Sequence, residues 1–300
     1  MEWRGPAERG RADRGGDPSH NQRALPQQLC PMPEVPPADP RAAGIHLPGY
    51  LAISKMQKEA HFTPEKMLSL LGVKAGSLAP YALIPGPRER SQMILAALQH
   101  PTKNFSFLDY EMHTGTHNGK KVTVGNGGRY APDTAITTEI LCASGVEKLI
   151  RIGSCGSLQE EVKIGDLIIV TGALRGDGTT SYYVPRNFST LSHPEIVRAL
   201  TQAAQSLKVR YHLGWVYTTD ALFQETPELI AELEQQAVSA IDMVTSAFLT
   251  VAQVRRKKAG AILAVSDECL KGKMGFRDPV FLETEEKMVE VALKAIHLLD

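Results

Sequence analysis

The stretch Lys148-Leu-Ile-Arg-Ile-Gly-Ser-Cys-Gly156 decides the fold. Its first part, Lys148-Leu-Ile-Arg151, reads as a short buried strand. Its second part, Arg151-Ile-Gly-Ser-Cys-Gly156, reads as tight backbone carrying a charge and a hydroxyl. A helical pattern over about 132–144 precedes it and stops at Gly145, and a second apolar strand, Leu167-Ile-Ile-Val170, follows. The alternation continues with a helix over about 194–207 and a strand at 213–218. Thr226-Pro227 then caps a helix through Gln236, Ala261-Ile-Leu-Ala-Val265 is a fully apolar strand, and a helix runs from Thr284. Apolar strands alternating with amphipathic helices predict an α/β fold, a three-layer αβα single domain with a central, mostly parallel or mixed, twisted sheet.

Upstream, Thr63-Pro64-Glu65 is a helix start, with Thr63 as N-cap, Pro64 at the first helical position and Gly72 as the stop. Tyr81-Ala-Leu-Ile84 is a short strand running into Pro85-Gly86. A helix from about Glu89 places Met93, Ile94, Ala97 and Leu98 on one face. Residues 105–124 read as a hairpin turning at Asn118-Gly119. Residues 1–50 differ from all of this. They are crowded with Pro, Arg, Gly and Asp, as in Pro31-Met-Pro-Glu-Val-Pro-Pro37, and bury too little apolar surface to offset the entropy of ordering. The expected organisation is a disordered segment over 1–50 and one domain over 53–300.

The chain has 300 residues, 43% hydrophobic and 22% charged, which suits a core that needs no disulfide staples. Lys plus Arg equals Asp plus Glu at 33 each, so charge gives no argument for nucleic acid or an anionic membrane as partner. None of the four cysteines, Cys30, Cys142, Cys155 and Cys269, falls in a CxxC pair, which argues against a zinc site. Cys142 and Cys269 sit in apolar runs and read as buried thiols of a reducing, cytoplasmic compartment. No run approaches the roughly 18 apolar residues of a membrane span. The N-terminus lacks the apolar core of a secretory signal.

Four groups carry candidate chemistry. Arg151 is a charge on an apolar strand, which is costly unless paired. With Gly153, Ser154 and Gly156 it forms an oxyanion cradle, or else it pairs with a buried carboxylate. Ile84-Pro-Gly86-Pro-Arg-Glu-Arg90 lies at a strand-to-helix junction, where backbone N–H groups and the forks of Arg88 and Arg90 favour an anion; the simpler alternative is a turn. Asp267, following the strand at Val265, is either a partly desolvated general acid or an N-cap. Asp242, in Ile241-Asp-Met-Val-Thr-Ser246, either caps the next helix or binds ligand hydroxyls.

These groups, in this order, resemble the nucleoside phosphorylase and hydrolase family, which includes purine nucleoside phosphorylase and uridine phosphorylase. The resemblance runs from about Tyr81 to the C-terminus and is most specific over 151–172. Gly178-Thr-Thr-Ser-Tyr-Tyr and Thr218-Thr-Asp-Ala-Leu-Phe223 add to it. It implies phosphorolysis of a nucleoside to free base and sugar 1-phosphate, with inorganic phosphate as co-substrate and no metal or organic cofactor. It also implies a homodimer or a hexamer of dimers. Gly86, Arg90, Arg151 and Ser154 match the family's phosphate ligands. Asp242-Met243 matches the start of its Glu-Met-Glu ribose motif, and Leu222 or Phe223 falls where a ring stacks on the base. Asp267 matches the acid that purine-specific members use.

Three positions depart from the pattern. Val244 stands where the second acid of the ribose motif is expected. Leu108 occupies the place of an Arg lent by a partner subunit, with Lys103 a nearby cation. Thr226-Pro-Glu228 replaces the Gln-x-Arg pair that reads pyrimidines, which tilts the expectation toward purines. His61 is a further candidate sugar contact. Uridine phosphorolysis, a phosphate-independent hydrolase and a non-catalytic nucleoside-binding protein stand as alternatives.

Overall fold

A computed structural model describes residues 60–74 and 76–300. The expectation for 1–50, the domain start at 53 and Cys30 lie outside the described residues. The described chain runs α1 (Pro64–Leu70), β1 (Tyr81–Pro85), α2 (Arg88–Ala96), β2 (Gln99–Phe107), β3 (Tyr110–His117), β4 (Lys120–Gly125), α3 (Ala131–Ala143), β5 (Lys148–Ser157) and β6 (Leu167–Gly176). It continues with β7 (Thr190–Leu191), α4 (Pro194–Ser206), β8 (Tyr211–Thr219), α5 (Pro227–Gln235), β9 (Ala240–Asp242), α6 (Thr245–Val254), β10 (Lys258–Glu268), β11 (Lys273–Met274) and α7 (Pro279–His297).

The strands make one mixed sheet. β1 lies parallel between β4 and β5, and β5 runs parallel to β10. β10 then pairs antiparallel with β6, β6 parallel with β8, β8 parallel with β9, and β9 returns antiparallel to the end of β5. Five strands therefore close on themselves, so β5 has partners on every side.

Alternation along the central strands sends side chains into two separate cores. Ala82, Ile84, Leu149, Ile168, Val170, Ala261 and Leu263 pack with Leu141 of α3 and Phe248 and Leu249 of α6. Leu83, Ile150, Ile152, Ile169, Ile262 and Ala264 pack with Ile94 of α2, Leu200 of α4, and Val291 and Ile296 of α7. Burial on both faces explains why these strands read as continuous apolar runs. The result is the expected three-layer αβα arrangement, with a mixed rather than mostly parallel sheet. No helix among the described residues is long and apolar enough to cross a membrane.

Local signals place most boundaries. The Thr63 hydroxyl accepts from the Lys66 N–H, the Thr226 hydroxyl caps α5, and Asn118-Gly119 turns the β3–β4 hairpin with both φ values positive. Four expectations need correction. The hairpin is a three-stranded meander, because β2 is exposed along most of its length and shows no alternation. β5 continues through Ser157, so Arg151 lies within the strand and not at its end. β10 likewise continues through Glu268, which puts Asp267 in the strand. α7 begins at Pro279, capped by the Asp278 carboxylate on the Val280 N–H, whereas Thr284 lies inside the helix.

Phe248 is fully buried on α6, which connects the sheet to the site below. Phe248→Ala is expected to cost about 3–5 kcal/mol of unfolding free energy in urea titrations. A loss below about 1 kcal/mol contradicts this packing.

Candidate active site

A cavity of about 620 Å³ opens beside the C-terminal halves of β1, β5, β9 and β10. Gly86, Arg90, Arg151, Ser154, Phe223, Asp242, Met243 and Asp267 all line it. Residues far apart in sequence are thus brought to one wall. Arg88 is not among them, because its exposed side chain faces Glu111 at 3.7 Å. His61 is exposed and outside the lining. Lys103 pairs with Glu111 at 3.1 Å, and Leu108 is exposed.

The candidate anion-binding end is built from two buried guanidinium groups. Arg151 shares a face of β5 with Leu149 and reaches toward α6. Its Nε donates to Thr245 Oγ1 at 3.2 Å, Nη1 to the Gly128 carbonyl at 2.9 Å and Nη2 to Asp242 Oδ2 at 3.3 Å. Among the described residues, each terminal nitrogen has one acceptor for its two N–H groups. Burial is the largest influence on this guanidinium and works against its charged form; Asp242 opposes that, and the Arg90 charge adds to it. Arg90, in the first turn of α2, donates Nη1 to the Ile152 carbonyl at 3.2 Å and pairs with Glu285 of α7. Its Nε is buried with no hydrogen-bond partner among the described residues. A buried, unmet donor is costly and marks a place for an acceptor. Ser154 is half-buried on the same wall.

Glycines make room for these groups. A Cβ on Gly153 would stand 2.7 Å from Arg151 Nη2 and 2.8 Å from its Cζ. A Cβ on Gly128 would stand 2.9 Å from the Pro85 carbonyl, to which the Gly128 N–H donates. Gly128 was not anticipated. The Gly125-Asn-Gly-Gly128 run at a strand-to-helix junction is the signal that marks it.

Asp242 follows the capping reading and also pairs with Arg151. Its side chain is 1% exposed. Oδ1 accepts from Thr218 Oγ1 at 2.7 Å and from the Val244 and Thr245 N–H groups at 3.2 Å. Oδ2 accepts from Arg151, from the Thr245 N–H at 3.1 Å and from Thr245 Oγ1 at 2.5 Å. The carboxylate caps α6 and neutralises Arg151, so both oxygens are engaged within the protein.

The opposite end of the cavity is acidic. A β-bulge in β10 between Val265 and Asp267 re-aims Asp267 toward the cavity. The half-buried carboxylate accepts from Ser266 Oγ at 2.6 Å and from the Cys269 thiol at 3.5 Å. Gly156 lies beneath it, and a Cβ there would stand 2.5 Å from Asp267 Oδ2. Cys269 is therefore a half-buried wall residue and not a core thiol, and burial, with Asp267 beside it, pushes its pKa up. Phe223 is 94% exposed at the mouth. Two residues away, Glu225 has its pKa raised from 4.5 to about 7, first by burial and then by the Asp267 and Asp242 charges. Its carboxyl has no hydrogen-bond partner among the described residues. Glu225 was missed because its sequence context reads only as the loop before Thr226.

The Glu225 shift has a stability consequence. Between about pH 4.5 and 7 the folded chain retains a proton that the unfolded chain has released, so stability falls as pH rises through that window. Glu225→Gln is expected to raise the Tm above pH 7 and to leave it unchanged below pH 4.5. A gain that is equal at both ends of the titration contradicts the assignment.

Comparison with known proteins bears on the whole domain. A family model described as the phosphorylase superfamily matches residues 80–299. A uridine phosphorylase from Thermococcus kodakarensis is 33% identical over 240 residues, covering 74% of this chain and 86% of that protein. A purine nucleoside phosphorylase of DeoD type from Brevibacillus brevis is 30% identical over 228 residues, covering 75% and 97%. The crystal structure of purine nucleoside phosphorylase from Toxoplasma gondii in complex with immucillin-H superposes with a TM-score of 0.69 at 26% identity, covering 73% of this chain and 90% of that one. Given a family match that spans every residue lining the cavity, the chain belongs to the phosphorylase superfamily.

Proposed function

We infer that the chain is a nucleoside phosphorylase, a pentosyltransferase that uses inorganic phosphate to split the N-glycosidic bond. The observation that carries this reading is the pair of buried guanidinium groups, Arg90 and Arg151, on one cavity wall with unspent donors and an acid, Asp267, at the other end. A water-using hydrolase gives those donors nothing to bind. Relatives named for phosphorolysis of both purine and uracil nucleosides support the same reaction class.

In this mechanism Gly86, Arg90, Arg151 and Ser154 hold phosphate against one face of the sugar. The fixed donors need no reorganisation as charge moves, and the bound anion faces the positive charge that develops at the anomeric carbon. A phosphate oxygen forms the new bond to that carbon while its bond to the base nitrogen breaks. The bonding electrons pass to the base, and Asp267 delivers a proton to it. Phe223 and Met243 contact the nucleoside. Asp242 acts through Arg151, whose orientation and charge it sets. We assign purines as the preferred bases, a reading supported by an acid, Asp267, on the cavity lining and by Thr226-Pro-Glu228 in place of a Gln-x-Arg pair. The resemblance further supports a homodimer or a hexamer of dimers.

The test is free-base release from inosine, adenosine and uridine, with and without phosphate. Phosphate-dependent release with sugar 1-phosphate as co-product is expected. Release that ignores phosphate, or none from any nucleoside, overturns the reading. Asp267→Asn is expected to lower kcat on the preferred purine by about 10²–10⁴-fold. Gly156→Ala, which displaces Asp267, should lower it with little loss of Tm.

A further inference from the structure

Ile241, Met243 and Val244 line the same cavity as Arg151 and Asp267. Met243 and Val244 directly follow Asp242, whose carboxylate touches Arg151, so this wall flanks the place where a sugar would bridge phosphate and base. It offers a sugar little to accept a hydrogen bond. Val244 presents only carbon, and its own N–H is spent on Asp242 Oδ1 at 3.2 Å. Both Asp242 oxygens are taken by Arg151, Thr218, Val244 and Thr245. Glu268, another acid on the lining, is held by Lys271 at 2.9 Å. Asp267 is assigned to the base end, and Glu225 lies two residues from Phe223, which is assigned to the same end.

A ribose buries two adjacent hydroxyls, and their donors need acceptors. A hydroxyl pressed against carbon with its hydrogen bond unmet weakens binding by about tenfold or more. A 2′-deoxyribose keeps the 3′-hydroxyl but presents a methylene at the 2′ position, which packs on Val244 without that second penalty. We propose that Val244 is a specificity-determining residue and that the sugar subsite selects 2′-deoxyribonucleosides over ribonucleosides. This rests on the phosphorolysis reading and narrows it to a substrate class.

The test compares kcat/KM for the riboside and the 2′-deoxyriboside of the same base, at saturating phosphate, for hypoxanthine, adenine and uracil. The native chain is expected to favour the deoxyriboside by about tenfold or more. Because the missing hydroxyl also eases bond breaking, the decisive comparison is between proteins. Val244→Gln places an amide acceptor at the same depth and should move the ratio toward the riboside by about tenfold, chiefly through KM. Val244→Glu should move it further. If the glutamate does not fold, as judged by thermal melting, the glutamine variant still decides. A native preference for ribosides overturns the proposal. So does a ratio that Val244→Gln leaves unchanged, and so does a riboside preference abolished by Glu225→Gln, which would make Glu225 the diol acceptor. Absence of turnover on every nucleoside instead overturns the phosphorolysis reading itself.

Discussion

The ion pair between Arg151 and Asp242 is the constraint around which the rest of the site is arranged. Both side chains are almost completely buried, at 4% and 1% exposed. Two charges cannot be taken from water at that depth unless they meet each other and have their remaining hydrogen bonds supplied. Thr218, Thr245, two backbone N–H groups and the Gly128 carbonyl do so. Removing the acid alone would leave a buried guanidinium unpaired. The pair also ties elements together, because Arg151 sits on β5, Asp242 ends β9, Thr245 begins α6 and Gly128 leads into α3.

The arrangement leaves a surplus of hydrogen-bond donors. Asp242 neutralises Arg151 and Glu285 neutralises Arg90, but neither carboxylate uses all the donors of its partner. What remains is a set of N–H groups fixed by the protein and facing one cavity, which is how a site holds an anion without rearranging around it. The two arginines approach from different layers, Arg90 from the helix layer that carries α2 and α7, and Arg151 from the sheet toward α6. Asp267 reaches the same cavity only because β10 bulges at Ser266 and Gly156 has no side chain beneath it.

Much of this was legible in the sequence where a strong local signal exists. Apolar strands buried on both faces, N-caps at Thr63 and Thr226, and the Asn118-Gly119 turn fixed the layers and most boundaries. Arg151, Ser154, Gly86, Arg90 and Asp267 stood out as charged or polar groups in apolar or glycine-bearing contexts, and the fold brings them together. What escaped were features set by tertiary contacts. β2 carries no alternation because almost nothing packs on it. The role of Asp242 depends on Arg151, distant in sequence, and a single carboxylate between apolar residues cannot announce which partner it finds. The glycines at 153 and 156 were visible, but their use as space beneath Arg151 and Asp267 is a matter of packing. Glu225 acquires its high pKa from burial and two distant carboxylates, none of which its own loop reveals.

The central claim is that the Arg90 and Arg151 end of the cavity binds inorganic phosphate. It is tested most directly by calorimetric titration of phosphate into the native chain and into the double variant Arg90→Gln/Glu285→Gln. The double variant removes the cation and its partner together and leaves no buried charge unpaired. The account predicts saturable binding to the native chain, weakened by about tenfold or more in the variant, as expected for losing a charged hydrogen bond. Equal phosphate affinity in the two proteins, with the variant folded, would contradict it.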